Sequence, residues 1–183
     1  MQTIAKRDFD PTAAHKQRDD FAATVLLDEG PEAVFAAVVN VRGWWSENIE
    51  GPTDRQGEEF IYRYQDVHRC TIRVSELTSP TRVRWQVVDN SFNFTNDKRE
   101  WIGTEMTFHI VRAASNTEIH FTHLGLVHTN ECFDVCSHAW EFYLQTSLPG
   151  LIRTGKGMPN PLEHSINEAS ALDATRPIPT NHY

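Results

Sequence analysis

The chain has 183 residues, of which 39% are hydrophobic and 23% charged, and its formal net charge is −8. This length and composition fit one soluble globular domain with a substantial core. Binding to nucleic acid or to an anionic membrane surface is disfavoured, because both need a basic patch and the sequence has no run of lysines or arginines.

The sequence shows no sign of a targeting signal or a membrane span. No apolar stretch approaches the ~20 residues that cross a bilayer, and the segment from Met1 to Asp20 is too polar for a signal peptide. We therefore expect a cytoplasmic protein without membrane insertion. Three cysteines, an odd number, fit reduced thiols better than a disulfide framework.

One strand and two helices are predicted at the start of the domain. Residues 1–19 show no convincing period and are predicted to form an N-terminal arm. A strand-like run follows over 21–27, and Pro31 suits the first position of a helix that extends to about Asn40. A second short helix is predicted to carry the Trp44-Trp45 pair.

A run of strands comes next, each with side chains alternating between an inward and an outward face. A turn at residues 78–80 and a hairpin connection at residues 115–116 separate these strands, and residues 91–100 form a polar loop. The residues predicted to face inward are Phe60, Tyr62, Tyr64, His68, Cys70, Ile72, Val74, Val83, Trp85, Val87, Met106, Phe108, Ile110, Ile119, Phe121 and His123.

The last predicted element is the longest. From about Asn130 to Thr154, apolar and small side chains recur at spacings of three and four, which indicates a helix of about five to six turns. Gly155 and Gly157 end this helix, and residues 158–183 are predicted to form a C-terminal tail. The helical stripe consists of Cys132, Val135, Cys136, Ala139, Trp140, Tyr143, Ser147 and Leu151.

Five short motifs, in this order, link the chain to a known superfamily. They are Pro31-Glu32-Ala33-Val34-Phe35, Val41-Arg42-Gly43-Trp44-Trp45-Ser46, Gly103-Thr104-Glu105, Phe121-Thr122-His123-Leu124-Gly125-Leu126 and the segment from Cys132 to Tyr143. Together they resemble the SRPBCC superfamily, which is START-like or birch-pollen-allergen-like. Within it, the closer resemblance is to the branch related to the C-terminal domain of the activator of the heat-shock-protein-90 ATPase.

This resemblance implies an α+β helix-grip fold over residues 20–157. In that fold a curved antiparallel sheet wraps around a long C-terminal helix, two short helices follow the first strand, and a cavity lies between sheet and helix. Members of the superfamily bind lipids, hormones or polyketides, and a minority are cyclases, hydrolases or dehydratases. Membership in the fold therefore does not decide whether a reaction takes place.

The inward-facing aromatic set is the main candidate for a ligand pocket. Core packing is the commoner role for any one of these residues. Buried Tyr and Trp, however, need partners for their polar atoms, which a solvated or ligand-filled cavity provides. The candidate ligand-binding residues are Trp45, Phe60, Tyr62, His68, Cys70, Trp85, Phe108, Phe121, His123, Cys136, Trp140 and Tyr143.

His123 is the candidate for moving a proton, with Tyr62 as its partner. The competing interpretation, which we favour, is a buried histidine that is hydrogen-bonded within the protein. His68 presents the same two alternatives. His128, Cys132 and Cys136 lie four residues apart, but the paired short spacings of a zinc site are missing. Packing is thus favoured over metal binding, and neither metal nor cofactor is expected.

Three functions are compatible with these observations. The favoured one is a binding module that takes a small hydrophobic or aromatic molecule, such as a lipid or a polyketide-like compound, in the cavity. The second is an enzyme of the polyketide-cyclase or hydratase kind that uses His123 with a tyrosine. The third is a co-chaperone-like interaction protein, which the resemblance alone suggests, so a chaperone partner ranks last. The sequence also allows a homodimer.

Overall fold

The computed structural model describes residues 19–162. The predicted N-terminal arm up to residue 18 and the predicted tail from residue 163 onward lie outside the described residues. The elements are β1 (Phe21–Leu27), α1 (Pro31–Val39), α2 (Val41–Trp44), β2 (Ile49–Glu50), β3 (Glu59–Tyr64), β4 (His68–Thr78), β5 (Arg82–Phe92), β6 (Glu105–Ala113), β7 (Asn116–Leu124), α3 (Phe133–Phe142), a π-helical turn (Tyr143–Ser147) and α4 (Leu148–Thr154).

The seven strands form one antiparallel sheet in the order β1-β7-β6-β5-β4-β3-β2. Its register brings inward residues opposite each other: Phe108 pairs with Phe121, and Met106 pairs with His123. The pairing of β4 with β5 shifts register twice, and such irregularities bend long strands. The α+β helix-grip fold predicted from the sequence is confirmed.

Helix α3, the π-helical turn and α4 form one continuous helical segment over 133–154. It ends at Gly155, whose φ of 76° places it in the left-handed region that favours glycine at a helix end. Along this segment Cys136, Trp140, Leu144 and Leu148 are buried. Within residues 19–162, no helix is long and apolar enough to cross a membrane.

The centre of the fold is an aromatic core beneath the long helical segment. Trp85 is fully buried, with its ring centroid 4.9 Å from that of Phe108 and 5.6 Å from that of Phe60. Trp44, from α2, stacks on Trp85 at 6.5 Å. These rings fill the middle of the sheet, and the open space beside α3 lies towards one end of it.

Candidate ligand-binding pocket

A pocket of about 280 Å³ lies between α3 and the end of the sheet where β3 and β4 meet. Eight of its fourteen lining residues are Phe, Tyr or Trp, and none is Lys, Arg, Asp or Glu, so the wall is apolar and aromatic. The exposed side chains of Tyr64, Phe94 and Val135 mark its mouth. The lining residues are Trp45, Tyr62, Tyr64, Val67, His68, Phe92, Phe94, Trp101, Val135, Cys136, Ala139, Trp140, Tyr143 and Asn160.

Two tryptophans from different parts of the chain form the inner end of the pocket. Trp45 follows α2, and its ring lies 4.6 Å from Tyr62 in a stacked arrangement. Trp140, on α3, lies 5.0 Å from Trp45. These contacts close the pocket against the aromatic core, so a ligand would meet ring faces and edges there.

Three uncharged polar groups converge on one side of the pocket. The side-chain amide of Asn160 donates a hydrogen bond of 3.2 Å to the Tyr62 hydroxyl, and it also lies against the hydroxyl of Tyr143. Burial raises the pKa of Tyr62 well above its ordinary value and raises the pKa of Tyr143 to about 12. Both phenols therefore keep their protons at neutral pH and can act as hydrogen-bond donors.

Asn160 reaches this position because the chain turns back after α4. We refer to residues 156–162 as the return segment. The backbone N–H of Asn160 donates to the backbone carbonyl of Trp45 at 3.0 Å, and the backbone carbonyl of Asn160 accepts from the backbone N–H of Glu47 at 2.8 Å. The Ser147 hydroxyl accepts from the amide of Met158 and donates to the carbonyl of Trp44, both at 2.6 Å.

His68 lines the pocket as a neutral imidazole. Its Nε2 lies 2.7 Å from Oδ1 of Asn90, and the amide group of Asn90 donates to the carbonyl of Lys98 at 3.1 Å. Because the Asn90 side-chain NH₂ donates to Lys98, its oxygen Oδ1 faces His68 and must accept. Nε2 of the neutral His68 ring is therefore the donor, and Nδ1 carries the lone pair. Burial lowers the pKa of His68 to about 4, so this residue carries no charge at neutral pH.

His123 lies behind the pocket wall. Trp140 and Trp101, which both line the pocket, contact the His123 ring at centroid distances of 6.0 and 4.6 Å. Both of its ring nitrogens are engaged, Nδ1 by the indole N–H of Trp140 and Nε2 by the Thr104 hydroxyl. Burial lowers its pKa to about 3. No hydrogen bond joins His123 to Tyr62 in the part of the chain that the structure describes, so the predicted acid/base pair of these two residues is not formed.

The structure brings together half of the twelve predicted site residues. The six that line the pocket are Trp45, Tyr62, His68, Cys136, Trp140 and Tyr143. The other six are buried in the core and do not line it; they are Phe60, Cys70, Trp85, Phe108, Phe121 and His123. The candidates were drawn from inward-facing positions along the whole sheet, whereas the strands of the sheet centre point these side chains into the packed core.

Several pocket residues were missed by the sequence analysis. Phe92 and Phe94 stood out as large apolar residues in or beside a polar loop, and this was a usable signal. Asn160 carried no signal, because it was assigned to the tail. Val135 was placed on the buried helical stripe but is 60% exposed at the pocket mouth. The remaining missed residues are Tyr64, Val67, Trp101 and Ala139.

The three cysteines of the chain are buried free thiols. Cys136 lines the pocket, and its hydrogen bond with the Cys132 thiol, together with burial, raises its pKa, so the thiol stays protonated. Burial likewise raises the pKa of Cys70. Among residues 19–162, no group of three or more His, Cys, Asp or Glu side chains is arranged to hold a metal ion.

The sheet, the long helical segment and the pocket between them define a helix-grip protein. Neither a protein-family model nor a curated protein matches the chain. Its structure is similar to that of the Aha1 dimer from Colwellia psychrerythraea, with a TM-score of 0.61 and 23% identity over 75% of this chain and 98% of that one. At this identity the likeness confirms the helix-grip fold.

Two further structures share the fold. DynU16, a protein of the dynemicin biosynthetic locus, matches with a TM-score of 0.55 and 15% identity over 76% of this chain and 49% of DynU16. CalU16 from Micromonospora echinospora matches with a TM-score of 0.52 and 12% identity over 82% of this chain and 80% of CalU16. At these identities the similarity establishes the fold alone.

Proposed function

We propose that the protein binds a small, neutral, hydrophobic or aromatic molecule in the pocket between α3 and the sheet. The observation that carries this proposal is the open space of about 280 Å³ with its aromatic wall. A dry core would close such space with side chains, because protein interiors pack about as densely as organic crystals. An aromatic cavity with a few converging polar groups is the usual form of a small-molecule site.

The size of the pocket limits the ligand. Ligand pockets commonly measure roughly 300–1,000 Å³, and this pocket, at about 280 Å³, is slightly smaller than that range. A molecule with one or two rings fits this volume better than a lipid with two acyl chains. We therefore favour compact aromatic compounds over membrane lipids as ligands.

The charge of the pocket limits the ligand further. No lining residue is ionised at neutral pH: His68 is neutral, and Tyr62, Tyr143 and Cys136 keep their protons. A charged ligand would lose its hydration without gaining an ion-pair partner, which is costly. Neutral ligands are thus favoured. The membership of the structurally similar DynU16 in a biosynthetic locus also supports a small organic ligand.

Ligand binding is tested by native mass spectrometry of the purified chain and by thermal-shift screening of one- and two-ring aromatic compounds. Ala139, an exposed residue of α3 that lines the pocket, offers a variant that fills it. Ala139→Phe should weaken the binding of any hit about tenfold or more by occupying ring space. Ala33→Phe, a matched change at an exposed position of α1 away from the pocket, should leave affinity unchanged. Equal affinities in the two variants, or no hit in the screen, would contradict the proposal.

Self-association is a second property that we propose. Tyr64, Phe94, Val135 and Phe142 are exposed apolar side chains, and three of them surround the pocket mouth. Exposed apolar groups that lie close together favour an interface, and the structurally similar Aha1 of C. psychrerythraea is a dimer. Sedimentation equilibrium should show a dimer that Val135→Glu weakens; a monomer at all concentrations would exclude it.

The cytoplasm is the compartment that we propose. The support for it is that Cys70, Cys132 and Cys136 are all free thiols, which persist in a reducing environment. Fractionation of cells that produce the tagged chain tests this assignment directly.

A further inference from the structure

The pocket is lined by two phenol groups whose protons have no acceptor among residues 19–162. Tyr62 is 5% exposed and Tyr143 is 7% exposed, and both line the pocket. Asn160 donates its amide N–H to the Tyr62 hydroxyl oxygen, so the Tyr62 O–H must itself point elsewhere. Within residues 19–162, neither phenol donates a hydrogen bond to a protein acceptor. A phenol O–H that lines a pocket and has no protein acceptor is free to donate to a ligand.

The contacts of Asn160 place the two hydroxyls together. The side-chain amide of Asn160 is bonded to the Tyr62 hydroxyl and lies against the hydroxyl of Tyr143, and Tyr143 is close enough to raise the pKa of Tyr62. The return segment holds Asn160 through backbone hydrogen bonds to Trp45 and Glu47. The two free O–H donors therefore converge on one region of the pocket. Asn160, which lies between them, is fixed there by its backbone hydrogen bonds.

From this geometry we infer that Tyr62 and Tyr143 form a carbonyl-binding subsite, and that the ligand is a neutral aromatic carbonyl compound. This inference rests on the proposed function. A carbonyl oxygen has two lone pairs and so can accept both O–H groups at once. An ether or a single hydroxyl offers a weaker or differently directed acceptor, and a purely hydrocarbon ligand would leave both donors unpaired, at a cost in free energy.

The surroundings distinguish a ketone, amide or quinone oxygen from a carboxylate. No Lys or Arg side chain lines the pocket, so a carboxylate would lose its hydration without a cation to balance it. Both phenols hold their protons because burial raises their pKa values. They thus act as neutral donors to a neutral acceptor.

The experiment compares two probes of nearly the same shape, 2-acetylnaphthalene and 2-isopropenylnaphthalene, which differ in carrying a C=O or a C=CH₂ group. Isothermal titration with the full chain should give an affinity about tenfold or more higher for the ketone, because a site built for hydrogen bonds discriminates against an analogue that lacks the acceptor. Tyr62→Phe and Tyr143→Phe should each reduce this preference about threefold or more while leaving the affinity for the alkene unchanged.

A spectroscopic readout separates this role from a structural one. The infrared C=O stretch of ¹³C-labelled 2-acetylnaphthalene should move to lower frequency on binding, and each Tyr→Phe variant should restore part of that shift. The control removes a hydroxyl from Thr122 of β7, a half-buried residue that does not line the pocket. Thr122→Val should keep both the preference and the frequency.

The possible results separate the inference from the proposed function. If both probes bind the wild-type chain equally, the carbonyl subsite is wrong while ligand binding stands. If neither these probes nor the screened aromatic compounds bind, the proposed function fails and the subsite with it. A preference for the ketone that survives in both Tyr→Phe variants would also overturn the assignment. Circular dichroism of each variant confirms that it is folded.

Discussion

The indole N–H of Trp140 donates a hydrogen bond of 3.1 Å to Nδ1 of His123. Since Nδ1 is thereby the acceptor, the ring proton lies on Nε2, which is 2.9 Å from the hydroxyl oxygen of Thr104. The Thr104 hydroxyl donates in turn to the carbonyl of Trp101 at 2.7 Å. This chain of hydrogen bonds links α3, β7 and the segment between β5 and β6, and it supports the two tryptophans of the pocket wall from behind.

Removing the Thr104 hydroxyl should destabilise the fold. Thr104→Val keeps the shape of the side chain but leaves Nε2–H of His123 without its acceptor, while the Trp101 carbonyl keeps the backbone N–H of Thr104. Unpaired buried polar groups cost about 1–3 kcal/mol, so we expect the free energy of unfolding in urea to fall by that amount. Thr122→Val is the control, because Thr122 is a half-buried strand threonine whose side chain makes no hydrogen bond among residues 19–162. Equal losses in both variants would contradict the prediction.

Stability should fall as the solution becomes acidic. Burial lowers the pKa of His123 to about 3 and that of His68 to about 4, whereas both imidazoles in the unfolded chain titrate near ~6.5. Between these values the unfolded chain binds more protons than the folded one, so the free energy of unfolding decreases as the pH falls from ~6.5 to ~4. Above ~6.5 both histidines are neutral in either state, and this dependence disappears.

Denaturant titrations at pH 7, 6 and 5 measure this slope. His68→Gln should give a shallower slope than the wild-type chain, because one of the two groups that take up protons on unfolding is gone. His109→Gln, which changes an exposed histidine of β6, should keep the wild-type slope. If His68→Gln keeps it as well, burial of His68 does not set the acid sensitivity.

The succession of elements along the chain and the long helical segment follow from local patterns in the sequence. Alternation along β4 and β6 identified their buried faces, and the structure shows the same period of two. Pro31 begins α1, and Gly155 ends α4 in a left-handed conformation, as their chemistry requires. Each of these features depends on residues that are close together in the chain.

The pocket depends on contacts that such patterns do not contain. Alternation places both His68 and His123 on the inner face, but only the tertiary contacts put His68 in the pocket wall and His123 behind Trp140. Asn160 becomes part of the site because the chain turns back and pairs with Trp45. A pattern of period two assigns a face of the sheet, but it does not say which end of the sheet stays open.

Glu100 and Glu131 should control the opening of the pocket, because the carboxylate of each accepts backbone amides from the segment that carries the other. The Glu100 carboxylate accepts the amides of Glu131 and Cys132 at 2.6 and 3.0 Å, just before α3. The Glu131 carboxylate accepts the amides of Asn96 and Asp97 at 2.8 and 3.3 Å, and these hydrogen bonds lower its pKa. This exchange ties the loop that carries Phe94 and Trp101 to the start of the helix.

In the double variant Glu100→Gln and Glu131→Gln, the backbone amides lose charged acceptors, whose hydrogen bonds are about twice as strong as neutral ones. We expect faster hydrogen exchange at residues 94–101 and at the start of α3, and faster release of bound ligand. Glu141→Gln changes an exposed glutamate of α3 that does not line the pocket and should leave both rates unaltered. Unchanged exchange in the double variant would show that the carboxylates do not hold the loop.

The position of Asn160 should depend on the absence of a side chain at residue 157. A Cβ atom on Gly157 would lie 2.2 Å from the carbonyl oxygen of Gly43 and 3.0 Å from that of Ser147. Both contacts are with backbone atoms that cannot rotate away, so in Gly157→Ala the return segment must move. Overpacking of this kind costs about 1–3 kcal/mol. We therefore expect a lower free energy of unfolding, together with shifted amide resonances of Asn160 and Trp45 in ¹H–¹⁵N spectra.

Ligand affinity in Gly157→Ala should fall together with these shifts, because the amide that orients the two phenols is displaced. Gly30→Ala provides the comparison, since the nearest atom to its added Cβ, at 3.4 Å, is a carboxylate oxygen of the flexible Glu32 side chain. Gly30→Ala should lower the free energy of unfolding by about 1 kcal/mol or less, as expected for a helix N-cap position. It should leave the amide resonances of Asn160 unshifted. If Gly157→Ala binds ligand as the wild-type chain does while its Asn160 resonances move, the phenols are positioned without Asn160.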